Sequence, residues 1–172
     1  FLEKKFSNKI ILCEKPLFHK FYNFQPKKNK FYITYNFRFH KCLQYLKKKI
    51  NLDKVFFVDP ESSSYLPNWR KNINYSKNYS AFPKKGGGVL LDMSHEIDYL
   101  KWLFKGFKIL KIYKNKISNL NILSEDIALI SGDIKKNTLV KIKLTYFNKI
   151  AKRCLTICLK DGTQICHVIV IR

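Results

Sequence analysis

Asp92 and His95 stand three residues apart in a segment with helical periodicity, which puts both side chains on one helix face. A carboxylate beside an imidazole orients the ring and stabilises its protonated form. That is an acid/base pair poised near neutral pH. The same spacing also serves an ordinary hydrogen bond on a surface or in a core. Lys15 is the second chemical group. Beside a substrate hydroxyl its ammonium would favour the alkoxide that hydride removal requires; left in solvent it is only a charge. Cys154 and Cys158 lie four apart with His167 downstream. Both cysteines fall in a strand-like run where even spacing means only a shared face. No second close ligand pair completes a tetrahedral set, so the sequence gives no metal site and reads as buried thiols.

The elements around these residues set where they point. Lys-Ile-Ile-Leu-Cys at 9–13 is an apolar run without alternation, which predicts a parallel strand covered on both faces. Pro16 ends it, so Lys15 sits at the carboxyl end of the strand, where open α/β sheets bind ligands. Further strands are predicted at 31–36 and 54–59, with a helix at about 40–50. From Pro60 to Lys85 regularity disappears, and the aromatic content predicts an ordered loop over a site. A single helix is predicted over 89–105, with Leu90, Met93, Ile97, Leu100 and Phe104 on one face. Gly86-Gly87-Gly88 precedes it and would let backbone approach a ligand at the positive helix end. After Gly106 the period becomes two. Strands at 126–134 and 140–146 would be joined through Lys135-Lys136-Asn137. Strands at 154–160 and 163–171 would be joined through Asp161-Gly162. Together these predict an antiparallel meander.

The chain has 172 residues, 46% of them hydrophobic, enough for a packed core and against a disordered tail. No apolar run approaches the roughly 18 residues that span a bilayer. The net charge of +22 invites a nucleic-acid reading. The kind of basic residue argues against it. Four of the 34 are Arg, leaving 30 Lys, while base reading and tight phosphate clamping lean on Arg forks. Abundant Asn and Ile beside Lys point instead to compositional drift on solvated faces. Five scattered cysteines fit a reducing cytoplasm better than a disulfide framework. The chain opens at Phe1 in mid-pattern, which reads as a fragment.

Four stretches taken together carry a resemblance. They are Glu14-Lys15-Pro16, Tyr35-Asn36-Phe37-Arg38-Phe39-His40, Ser64-Tyr65-Leu66-Pro67-Asn68-Trp69-Arg70, and the run GGGVLLDMSHEIDYLKWLF from Gly86 to Phe104. Their order and spacing resemble the Gfo/Idh/MocA oxidoreductases over about residues 9–167, in a flavour associated with bacterial surface-sugar pathways. The resemblance implies an α+β fold: an open, mainly antiparallel mixed sheet with helices on one face, preceded by the end of a Rossmann domain. Residues 1–25 would be that Rossmann remnant, and 26–172 the substrate and oligomerisation domain.

It further implies NAD or NADP as cofactor, a sugar or sugar derivative as substrate, and a homo-oligomer formed through the sheet. Lys15 and His95 match the family's active-site lysine and acid/base histidine, and Asp92 the acidic partner. Glu14, Lys15, Pro16, Trp69 and Arg70 would lie by the cofactor. Asn36, Arg38, Tyr65, Asp92 and His95 would lie by the substrate. There are departures. No G-x-G-x-x-G occurs, so the main cofactor site is missing and the chain alone is expected to be inactive. Asn74-Tyr75-Ser76 stands where relatives carry a charge pair, Lys105 intervenes before Gly106, and Thr145 replaces a commonly acidic position. The competing reading is a non-catalytic sheet domain for oligomerisation or an anionic partner.

Overall fold

The computed structural model describes residues 1–134 and 137–168. A short helix α1 (Leu2–Lys5) leads into β1 (Ile10–Cys13), which pairs in parallel with β2 (Lys30–Ile33). Helix α2 (Lys41–Lys49) follows, then β3 (Val55–Tyr65), a run of 3-10 turns, α3 (Val89–Asp92) and α4 (His95–Phe104). Strands β4 (Lys108–Asn115), β5 (Ile127–Asp133), β6 (Leu139–Thr145), β7 (Phe147–Leu159) and β8 (Gln164–Val168) complete the described chain. The six-stranded sheet has the order β4-β5-β6-β3-β7-β8. Only β3–β6 is parallel, so the sheet is mixed and mainly antiparallel, and the class is α+β.

Alternation assigns the two faces. Ala128, Ile130, Val140, Ile142, Leu144, Leu155 and Ile157 are buried on one face with Val58. Leu43 and Leu46 of α2 and Tyr99, Leu100 and Leu103 of α4 belong to the same core cluster, so the helices lie on that face. The opposite face carries Asp59, Glu61, Lys143 and Lys152, which are cross-strand neighbours or same-face positions in the register. There Glu61 is paired with Lys143 at 3.1 Å and Lys152 at 2.7 Å. Burial alone would raise the Glu61 pKa, but hydrogen bonds from Lys152, Ser63 and Lys143 outweigh it and bring it to about 2.

Several expectations need correction. The strand at 10–13 is not covered on both faces: Ile10 is 76% and Leu12 71% exposed, and by alternation they share the face that is left open. Order does not stop at Pro60. β3 runs on through Pro60-Glu61-Ser62-Ser63-Ser64 to Tyr65, because pairing with β6 and β7 on its two sides overrides the weak strand propensity of that stretch. The sheet is no simple meander, since β3 is inserted between β6 and β7. β4 was not foreseen; all eight of its residues are exposed, so it has no buried face to reveal it. The Asp161-Gly162 turn joins β7 and β8 as expected, with Gly162 at φ 86°. Lys135 and Lys136 of the other expected turn, and positions 169–171 of the last expected strand, lie outside the described residues.

Candidate active site

Lys15 follows β1, as its place after the strand predicts, and its ammonium donates a hydrogen bond to the Asp92 backbone carbonyl. That contact brings the strand end against the junction of α3 and α4. Burial pushes the Lys15 pKa down, and nearby Asp92 and Glu96 partly restore it. His95 opens α4 in the same neighbourhood. Its ring stacks on Phe37 with centroids 4.5 Å apart and meets Tyr35 edge-on at 5.6 Å. Burial, followed by the positive charges of Lys15 and Arg153, brings the His95 pKa down to about 4. The ring is therefore neutral at pH 7. Its Nδ1 is buried without a hydrogen-bond partner.

The single helix expected over 89–105 is two helices. Met93 (φ −103°, ψ 30°) breaks it between Asp92 and His95, and α4 restarts after Ser94. The shared face drawn for that pair is lost with the break. The Asp92 carboxylate turns inward, where Ser80 Oγ and the Tyr146 hydroxyl each donate to its Oδ2 at 2.6 Å. Those two bonds hold the carboxylate in the core, and it is Asp92's main chain that touches the reactive cluster. Burial and the neighbouring Asp92 drive the Tyr146 pKa up, so this hydroxyl stays a donor.

The glycines before α3 also act differently from expectation. A Cβ on Gly87 would lie 2.2 Å from the Tyr79 carbonyl oxygen, and one on Gly88 2.3 Å from a Glu125 carboxylate oxygen. The close approach is to the protein itself. Glu125 also accepts from the Leu90 amide at 3.4 Å, so an internal carboxylate occupies the start of α3. Gly88 at φ 116° admits only glycine comfortably.

The remaining expected residues are spread around this cluster. Trp69 sits edge-on to Tyr146 at 5.2 Å and donates Nε1–H to Ser64 Oγ at 2.7 Å, linking the loop to Asp92 through one ring. Arg70 lies over the Tyr79 ring, 5.1 Å from its centroid. Arg38 makes a two-pronged ion pair with Asp98 of α4, with Nε donating at 2.8 Å, so its fork is already engaged. Asn36 is exposed at the first position of a 3-10 turn, and Tyr65 packs partly buried against the core. Glu14 is exposed and near enough to raise the Lys15 pKa. Pro16, whose peptide bond with Lys15 is cis, lines an open cleft of about 410 Å³ with Leu17, Phe18, His19, Tyr22, Tyr79, Lys85 and Gly86. The tighter cavity under Leu66, Trp69 and Ser80 is about 10 Å³, room for one water at most.

Sequence reasoning missed the ion pair beneath the cluster. Arg153 Nε approaches Glu96 Oε1 at 2.8 Å, with Glu96 fully buried, and its guanidinium lies over Phe37 at 4.7 Å. Ser62 Oγ accepts from the same Nε at 3.2 Å. Burial raises the Glu96 pKa and the guanidinium pulls it back. A usable signal was present: among 30 lysines, an arginine marks a place that needs a planar fork.

Comparisons with known proteins bear on the fold. No protein-family profile and no curated protein matches the chain. Solved structures do. The WlbA dehydrogenase from Bordetella pertussis, crystallised with NADH and UDP-GlcNAcA, is similar at TM-score 0.67 and 18% identity, over 81% of this chain and 41% of that one. An inositol dehydrogenase homolog from Azotobacter vinelandii, complexed with NAD+, matches at 0.62 and 14%, over 76% and 36%. Apo scyllo-inositol dehydrogenase from Lactobacillus casei matches at 0.60 and 15%, over 81% and 40%. These neighbours are dehydrogenases of the Gfo/Idh/MocA type, and the chain shares the fold of a part of them. It spans about two fifths of their length.

Proposed function

We propose that this chain supplies the substrate side of an NAD(P)-dependent oxidoreductase acting on a hydroxyl or carbonyl of a sugar or sugar derivative. The observation that carries the reading is the pairing of a neutral His95 ring with the Lys15 ammonium in one half-buried cluster. A neutral imidazole takes the substrate hydroxyl's proton. The ammonium favours the alkoxide that forms, and a partly desolvated charge does so more strongly than a solvated one. Asp92 positions Lys15 through its carbonyl. Phe37 holds the plane of the His95 ring.

A nicotinamide, when bound, supplies or takes the hydride. The open cleft beside Pro16 is of the size that ligand pockets have and leaves room for its reacting end. Glu14, Lys15, Pro16, Trp69 and Arg70 are the residues we assign to the cofactor, of which Pro16 lines this cleft. The diphosphate is assigned to a nucleotide-binding domain outside these residues, with 1–25 as its last piece. Asn36, Arg38 and Tyr65 are assigned to the substrate side, Arg38 with its charge shared by Asp98. The UDP-GlcNAcA in the Bordetella structure supports an anionic sugar derivative as substrate, and a net charge of +22 would speed its arrival. A second copy would bind through the helix-free sheet face, and the protein would work in the cytoplasm.

The test joins the chain to a nucleotide-binding domain of this type and follows hydride transfer by nicotinamide absorbance. His95→Ala and Lys15→Ala should each lower kcat by about 10²–10⁴-fold. Rates equal to the unmodified fusion would remove both residues from the mechanism. Among the described residues, no helix is long and apolar enough to cross a membrane.

A further inference from the structure

We propose that His40, Cys42 and His167 form a zinc site that ties the edge strand β8 to the start of α2. The three ligand atoms lie within 4.8 Å of one another, and all three residues are half-buried. The His40 and His167 rings are 5.4 Å apart, tilted by 49°. His40 Nδ1 and His167 Nε2 are each buried with no hydrogen-bond partner. Two orphaned imidazole nitrogens in a cluster with a thiol carry an uncompensated desolvation cost, which a shared metal ion removes.

Register decides which cysteine belongs. His167 pairs with Leu155, so it projects to the helix-covered face. Cys154 and Cys158 project from β7 to the other face, which separates them from His167 despite their spacing in sequence. His40 immediately precedes α2, and Cys42 stands in its first turn. Helix packing, not sequence proximity, thus assembles the group.

The donor set selects the ion. Two imidazoles and a thiolate suit zinc, whereas magnesium and calcium want carboxylate and carbonyl oxygens. Bond lengths of about 2.0 Å to nitrogen and 2.3 Å to sulfur require the ligand atoms to close to roughly 3.5 Å, a change within reach of side-chain rotation. Three protein ligands leave the fourth position to water. None of these residues belongs to the Lys15–His95 cluster, so the site stands or falls apart from the proposed catalysis.

Cobalt titration of the metal-free chain, followed by zinc competition, tests this. One equivalent of cobalt should give a thiolate-to-cobalt charge-transfer band with tetrahedral visible bands, and zinc should bleach both. Cys42→Ser should abolish the charge-transfer band. His40→Gln and His167→Gln should each raise the Kd at least tenfold, while Cys166→Ser should behave as the unmodified chain. Circular dichroism of each metal-free variant checks that it folds. Failure of the unmodified chain to saturate at one equivalent overturns the site whatever the variants do. So does a charge-transfer band that survives Cys42→Ser.

Discussion

His95 shows how a single side chain's surroundings decide its chemistry. In water an imidazole titrates near 6.5; here burial, Lys15 and Arg153 bring it to about 4. The unfolded chain therefore binds a proton at this residue between those two values and the folded chain does not. The ring's own contribution to stability should fall as pH drops from about 6.5 to 4, by on the order of 1 kcal/mol once solvent screening of this half-buried group is allowed for. Urea melts at pH 7 and pH 4.5 check this. His95→Gln should lose the part of the drop that the imidazole causes, and an unchanged drop would mean that the ring is not held neutral. The same residue marks what the sequence could not disclose. Its type and place were legible at position 95, but its partner was not. A three-residue spacing predicts a contact with Asp92 only if the helix is continuous, and Ser80 and Tyr146, which claim that carboxylate, are distant in sequence.

At the scale of elements, legibility tracked the strength of local patterns. α2 and the β5, β6 and β8 segments carry clear periodicity, and the Asp161-Gly162 turn carries the chemistry of a tight hairpin. β3 beyond Asp59 had no such pattern. Its order comes from two neighbouring strands that no local reading contains. α4 ends on another local feature. Lys105 takes φ 55° and ψ 30° at its carboxyl end, a left-handed conformation that glycine adopts without cost, and Gly106 follows one residue later than that position needs. Lys105→Gly should raise stability by about 0.5–1 kcal/mol, measured by denaturant midpoint. A loss would show that the lysine side chain contributes more than its backbone strain removes.

For the whole molecule, composition foretold a foldable core but gave little guide to how charge is used. Among the described residues Arg38 and Arg153 are engaged in ion pairs, whereas most lysines stand on exposed surface. With a formal charge of +22, repulsion among them opposes the compact state. Raising sodium chloride from about 10 mM to about 150 mM shortens the Debye length from roughly 30 Å to 8 Å. The thermal midpoint should therefore rise by a few degrees over that range. A fall would mean that pairs such as Arg38–Asp98 and Glu61–Lys152 outweigh the repulsion.

β4 borders the six-stranded sheet on one side, every residue exposed, with Lys108, Lys111 and Lys114 along it. A strand of another molecule docking there would have to bring its own lysines against these and strip water from both rows. The bulge between Ile109 and Lys111 also bends the ribbon away from the flat register that stacked fibrils need. An otherwise sticky rim is in this way kept from growing into an aggregate.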